Sequence, residues 1–578
     1  MATENLLQEF PPVSTASWEE AIHKDLKGAD YTKKLVWQTD EGLAVKPYYR
    51  AEDIAGLDYL DAAPGEFPFV RGACSLGGWR IREEIDALEP VEANRAACAA
   101  VAAGAEEIAF RNASIANASD LAMLLANLQE IPVHFENAGE PLLRLLMARQ
   151  NASPVSTGFD PLANLDFAAE VLSAAPPTLV PFTVCGAAFE EAGATAVEEL
   201  GFALAAGIDF LAEMQARNVD INRAAASLTF SFAIGSSYFF QIAKLRAFRM
   251  VWARAVESFG GAHAAAKARI HARASRWNKT VYDPHVNILR GTTEAMSAVL
   301  GGADSISVAP FDECYKAPDE ASRRLARNTQ ILLKEEALLS RVADPGAGSY
   351  CLEAITDFLA RESWKTMQGI EAAGGFSKAK ADGVVARALD KSLAAKAKAV
   401  ASRRRVFTGT NQYANLTEKA LDRIDVARIS AAHRGTQAFE QLRLRTERHA
   451  AKAGSAPRVL LAEIGDVKMR AARSGFAANF FGCAGFEIVS KRFSSTDEIA
   501  AADAALIVLC SSDPEYLPLA TEVLVKLKAL ERETPVLVAG NPESAEQLKA
   551  AGVADFVHIR SNPIELLTAW QQRLGIEN

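Results

Sequence analysis

From about residue 67, short β-branched or aromatic runs alternate with longer stretches whose apolar residues recur at helical spacing. The short runs are "EEIAFRN" (106–112), "IPVHFEN" (131–137), "TLVPFTVCG" (178–186), "SLTFSFAIG" (227–235), "ARIHARAS" (268–275) and "SISVAPF" (305–311), and "PFVRG" near residue 68 reads as the first of the series. Between them lie amphipathic stretches such as "DLAMLLANLQ", "AVEELGFALAAGIDFLAEMQARN" and "YFFQIAKLRAFRMVWARAVESF". Strand-then-helix repetition predicts parallel βαβ units. Six or seven units over about 270 residues favour a closed (β/α)8 TIM barrel over an open sheet, although fewer than eight strands stand out.

The rhythm changes twice more. Residues 352–456 are helical and charged; "KAKADGVVARALDKSLAAKAKAVASRRRV" reads as a connector whose basic run, starting at Ser402, faces solvent or another chain, and "AGSAP" (453–457) reads as a linker. From residue 457 five strand candidates, "RVLLAEI", "FEIVSKRF", "AALIVLCSS", "TPVLVAG" and "ADFVHIR", alternate with helices. That pattern predicts a flavodoxin-like doubly wound sheet, whose ligands bind beyond the carboxyl ends of the strands. The first such turn offers Asp466, Lys468 and Arg470, with no histidine and no glycine-rich loop. Ahead of the barrel, residues 1–66 hold short helical pieces and the extended "LVWQTDEGLAVKPYYR". They are too short for a domain and must pack on the barrel (67–351) or on another chain.

Composition narrows the class. The 578 residues exceed one ordinary domain. Hydrophobic residues at 49% and charged residues at 23% are a globular balance. A net charge of −10 argues against nucleic acid. The seven cysteines are odd in number and form no Cys-x-x-Cys pair, which points to a reducing compartment and mostly buried thiols. The N-terminus lacks a basic start and apolar core, and no run approaches the roughly 18 apolar residues that span a bilayer. The expectation is a soluble cytoplasmic chain with no membrane partner. "PGAGSY" and "SLGGW" read as turns rather than nucleotide loops, and no metal-ligand cluster is expected.

The stretches "FEEAGATAVEELGFALAAGIDFL", "FSFAIGSSYFFQIAKLRAFRMVW", "DPHVNILRGTTEAMSAVLGGADSI", "RLARNTQILLKEEALLSRVADPGAGSY" and "GIEAAGGF" resemble methylmalonyl-CoA mutase. The resemblance covers most of the chain from about residue 65. It implies a barrel that takes a CoA ester through its centre and a C-terminal domain of the cobalamin-binding type. It also implies radical interconversion of (R)-methylmalonyl-CoA and succinyl-CoA with adenosylcobalamin, whose lower cobalt ligand is a histidine in an Asp-x-His-x-x-Gly motif.

This chain departs from that pattern where the chemistry sits. Registered on Ser474–Phe476 and Gly485-Phe486, the motif's aspartate, histidine and glycine fall at Lys468, Arg470 and Arg473. An arginine is a permanent cation and cannot ligate cobalt. The domain's one histidine, His558, lies on the last strand candidate and reads as a core-edge residue. In the barrel, the family's substrate-facing tyrosine is Glu84, its carbonyl-binding histidine is Ala188, and a glutamine and a glycine are Arg273 and Arg276; His271 persists. The resemblance therefore implies a small, non-catalytic subunit without cofactor or metal. A large (alpha) partner would carry adenosylcobalamin and the acyl-CoA substrate, with residues 1–66 reaching onto it. Two alternatives stand beside this reading: a divergent mutase acting alone, and a CoA-ester-binding or docking module.

Overall fold

The computed structural model describes residues 12–149, 153–431 and 433–577. A short antiparallel hairpin, β1 (Trp37–Gln38) and β2 (Ala44–Val45), precedes eight parallel strands. These are β3 (Arg80–Asp86), β4 (Glu107–Arg111), β5 (Val133–Phe135), β6 (Val155–Phe159), β7 (Leu179–Cys185), β8 (Leu228–Ile234), β9 (Arg269–Ala274) and β10 (Ser305–Ser307). They follow one another around a closed barrel, β10 pairing with β3. β8 is buried at every position, as expected of a strand covered on both sides. Its Phe230 and Phe232 point outward onto Phe248, each at 4.6 Å.

Two strands are additions to those that the apolar pattern predicts. The barrel opens with Arg80–Asp86, whereas "PFVRG" forms turns. β3 was obscured because its inward positions, Arg82 and Glu84, are charged rather than apolar. β6, "VSTGF", is short and rich in small polar residues. The long helices Ala196–Ala216, Tyr238–Ser258 and Tyr350–Ala372 pack together outside β7 and β8. The first and third meet at Gly201, where a β-carbon would lie 2.6 Å from Thr366.

The C-terminal unit contains β11 (Arg458–Glu463), β12 (Glu487–Arg492), β13 (Leu506–Cys510), β14 (Val536–Val538) and β15 (Asp555–Phe556). All pair in parallel in the order β12-β11-β13-β14-β15, the flavodoxin-like order. The basic run after Ser402 joins the units instead of facing solvent throughout. Arg403 lies 5.1 Å from the Phe476 ring of the C-terminal unit. Arg405 lies 5.0 Å from Trp277 of the barrel and pairs with Asp40 of the hairpin; only Arg404 is exposed. The hairpin thus packs on its own barrel, Trp37 meeting Phe240 edge-on at 5.7 Å. The helices before it, Thr15–Asp25 and Tyr31–Leu35, bury no residue. The cysteines are all free, but only Cys483 and Cys510 are buried, so the thiols are more accessible than expected. Among the described residues no helix is long and apolar enough to cross a membrane.

Candidate functional site

The bore of the barrel is lined by alternate residues of each strand. Toward its amino end, Arg82 donates to Glu107 at 2.7 Å. His134 and His271 each lie 2.9 Å, through Nδ1, from a serine hydroxyl on the next strand, Ser156 and Ser305. Burial, reinforced by Arg82, pushes both imidazoles below their ordinary 6.5. His271 is therefore neutral and held by a neighbouring strand.

Toward the carboxyl end the charges interlock. Arg273 donates to Glu84 at 2.8 Å and lies 3.8 Å from Glu136. Arg111 donates to Glu84 at 3.2 Å and to Glu313 at 2.8 Å. Arg276 reaches Glu313 at 3.2 Å and Glu191 at 3.8 Å. Burial works against the charge on Glu313, yet Arg276, Arg111 and Arg273 bring it down to about 2. Burial also opposes the charge on Glu136, and His134 with Arg273 overcomes it. Three positions singled out in the sequence, Glu84, Arg273 and Arg276, thus come together in one network. Ala188 does not join it; it lies exposed in the helix Gly186–Glu191, just beyond β7, and carries no polar side chain. The sequence reading missed Arg111, His134, Glu136 and Glu313. For Arg111 and His134 the available signal was a polar residue at an inward strand position, where a filled barrel carries apolar ones; Glu136 and Glu313 lie just beyond β5 and β10 and gave no such signal.

In the C-terminal unit the turn after β11 leads into the helix Val467–Gly482, capped by Asp466, whose carboxylate accepts from the Met469 amide at 2.8 Å. Lys468 is exposed. Arg470 donates back to the Gly465 carbonyl at 3.3 Å. Arg473 pairs with Asp513 at 2.9 Å, and its guanidinium lies 3.3 Å from where a β-carbon on Gly540 would stand, so it covers the end of β14. The Tyr516 hydroxyl donates to Ala539 at 2.6 Å and accepts from the Ser511 amide at 3.1 Å, tying β13 to β14. The His558 Nδ1 accepts from the Arg560 amide at 3.1 Å, closing a local turn. Among the described residues no group of three or more His, Cys, Asp or Glu side chains could hold a metal ion.

A family model described as methylmalonyl-CoA mutase matches residues 38–120 and 143–476. A protein of Porphyromonas gingivalis, "Methylmalonyl-CoA mutase small subunit", is 38% identical over 99% of both chains. A small subunit of Streptomyces virginiae is 32% identical over 99% of this chain and 98% of its own. The large subunit from that organism is 28% identical over 78% of this chain and 69% of its own.

Proposed function

The chain belongs to the methylmalonyl-CoA mutase family, and from that footing we propose that it is the small subunit of the mutase, an isomerase, paired with a large subunit that performs the reaction. The mutase interconverts (R)-methylmalonyl-CoA and succinyl-CoA with adenosylcobalamin. We infer that cofactor and acyl-CoA reside on the partner.

The observation that carries the non-catalytic reading is the Glu84–Arg273 pair at 2.8 Å. By the resemblance, the position of the family's substrate-facing tyrosine and that of one of its glutamines carry opposite charges that satisfy each other. With Arg111 and Glu313 they line the carboxyl end of the bore with paired charge, where the resemblance would place the acyl group. The strand-end turn does not fit cobalamin either. Arg470 offers a cation where a cobalt ligand is required, and Arg473 covers the end of β14.

The test is equilibrium dialysis of adenosylcobalamin against the purified chain, the large subunit and their mixture. The expected result is retention by the large subunit and the mixture, turnover in the mixture, and neither in the small subunit alone. Stoichiometric retention by this chain would overturn the reading. The same dialysis with CoA addresses the docking alternative, for which the barrel's other mouth offers Arg80, Lys267, Arg269, Lys334 and Arg341 around one open basin.

The arm ahead of the hairpin is the proposed contact with the large subunit. Trp18 stacks on Tyr48 at 4.6 Å with Arg50 above it at 5.5 Å, yet Val13, Trp18 and Leu35 remain exposed. Buried aromatic anchors dominate interfaces. Trp18→Ala is expected to weaken association by about 2 kcal/mol, about 30-fold in Kd, while the circular dichroism of the isolated chain stays unchanged. Titration calorimetry against the large subunit measures it; unchanged affinity would remove Trp18 from the interface.

A further inference from the structure

A ligand-binding turn that has lost its ligand should be loose, because such loops come from the low-stability end of a fold. The turn after β11 is instead tied down from within. The Glu515 Oε2 accepts from the Asp466 amide at 3.1 Å, the Ser511 hydroxyl at 2.7 Å, and the Ser512 hydroxyl and amide at 2.6 and 3.2 Å. Asp466 belongs to the turn after β11, and the serines to the turn after β13, the adjacent strand. The bonds within 512–515 form an ordinary capping box. The bond to the Asp466 amide is not part of it, since it crosses between two strand ends.

Gly465 makes that crossing possible. Its φ is +78°, and a β-carbon there would stand 2.5 Å from the same carboxylate oxygen. A backbone amide, two hydroxyls and a bare glycine converging on one anionic oxygen is the arrangement by which strand-end turns take a carboxylate or phosphate from a ligand.

We propose that Glu515 is a built-in occupant of this strand-end crevice, an intramolecular anion that holds the turn in its closed form in place of a ligand. The role rests on the reading of the C-terminal unit as ligand-free. Retention of adenosylcobalamin by the wild-type chain would sink that reading, whereas the experiments below bear on Glu515 alone. Charge-assisted bonds of this kind favour the ionised carboxylate, and the serine hydroxyls and the Asp466 amide hold Glu515 down at about 2.

The test is Glu515→Gly in the full chain, with amide exchange at Asp466 and Ser512 followed in chloride, acetate and phosphate at equal ionic strength. Protection in chloride is expected to fall by about tenfold or more, and acetate or phosphate is expected to restore it in the variant without changing the wild type. Unchanged protection in chloride, or a loss that neither anion repairs, overturns the proposal and leaves Glu515 as a helix cap only. Should the variant fail to fold, Glu515→Gln is followed in the same way in chloride; a loss of protection at Asp466 supports the anion as occupant, and unchanged protection there overturns it.

Discussion

Replacing Lys244 with alanine is expected to cost about 3–5 kcal/mol of folding stability at neutral pH, the penalty for orphaning a buried charge. The Lys244 Nζ lies 2.7 Å from Glu199, and both side chains are 1% exposed. Lys244 also donates to the Ala233 carbonyl, and the Ala233 amide donates to Glu199 at 2.8 Å. The pair therefore joins the end of β8 to the two long helices behind it.

Burial raises Glu199 to about 7 even though Lys244 opposes the rise. A carboxyl raised in the fold contributes stability that is full below its ordinary 4.5 and lost as pH climbs to about 7. Without Lys244 the folded value rises further and the loss extends to higher pH. The penalty of Lys244→Ala should be larger at about pH 8 than at about pH 5, read as midpoints of urea unfolding. Glu199→Gln combined with Lys244→Met removes both charges and keeps an acceptor for the Ala233 amide, so it should recover much of the loss. An equal penalty at both pH values would show that Lys244 acts through packing.

What could be read from the sequence follows from burial. The central C-terminal strands were legible because strands covered on both faces are near-continuous apolar runs; β13, "LIVLC", is buried throughout, whereas the edge strand β12, "EIVSKR", buries no residue and was legible from its alternation with helices. β3 was legible only by resemblance, since Arg82 and Glu84 break the apolar pattern that marks a strand. The site was half legible for a related reason. Glu84, Arg273 and Arg276 each stood out as a foreign charge, but a single charge says nothing about its partner. Glu84 and Arg273 are 189 positions apart, and only closure of the barrel brings them together. The same holds for Glu515 and Asp466, which local spacing assigns to separate helix caps. Glu84, Arg273 and Arg276, which stood out separately along the chain, are thus, in space, parts of one mutually neutralising network.

That view yields the second large effect. Arg273→Ala should cost about 3 kcal/mol at neutral pH, because it withdraws the cation shared by Glu84 and Glu136 and close to Glu313 in a confined bore. Glu313 is depressed in the fold, so its contribution is full above its ordinary 4.5 and is lost as pH falls to about 2. Removing Arg273 shrinks that depression and leaves less stability to lose. The variant and the wild type should therefore converge in stability as pH falls from neutral to about 3, measured by denaturant unfolding across that range. Glu84→Gln paired with Arg273→Gln keeps polar groups of similar size while deleting the opposed charges, and should recover part of the loss by a double-mutant cycle. On the proposed non-catalytic role, neither variant should acquire turnover. A penalty that stays constant from neutral pH to about 3 would mean that Arg273 acts by its packing and not by its charge. The pairing with Glu84 would then be incidental to the stability of the bore.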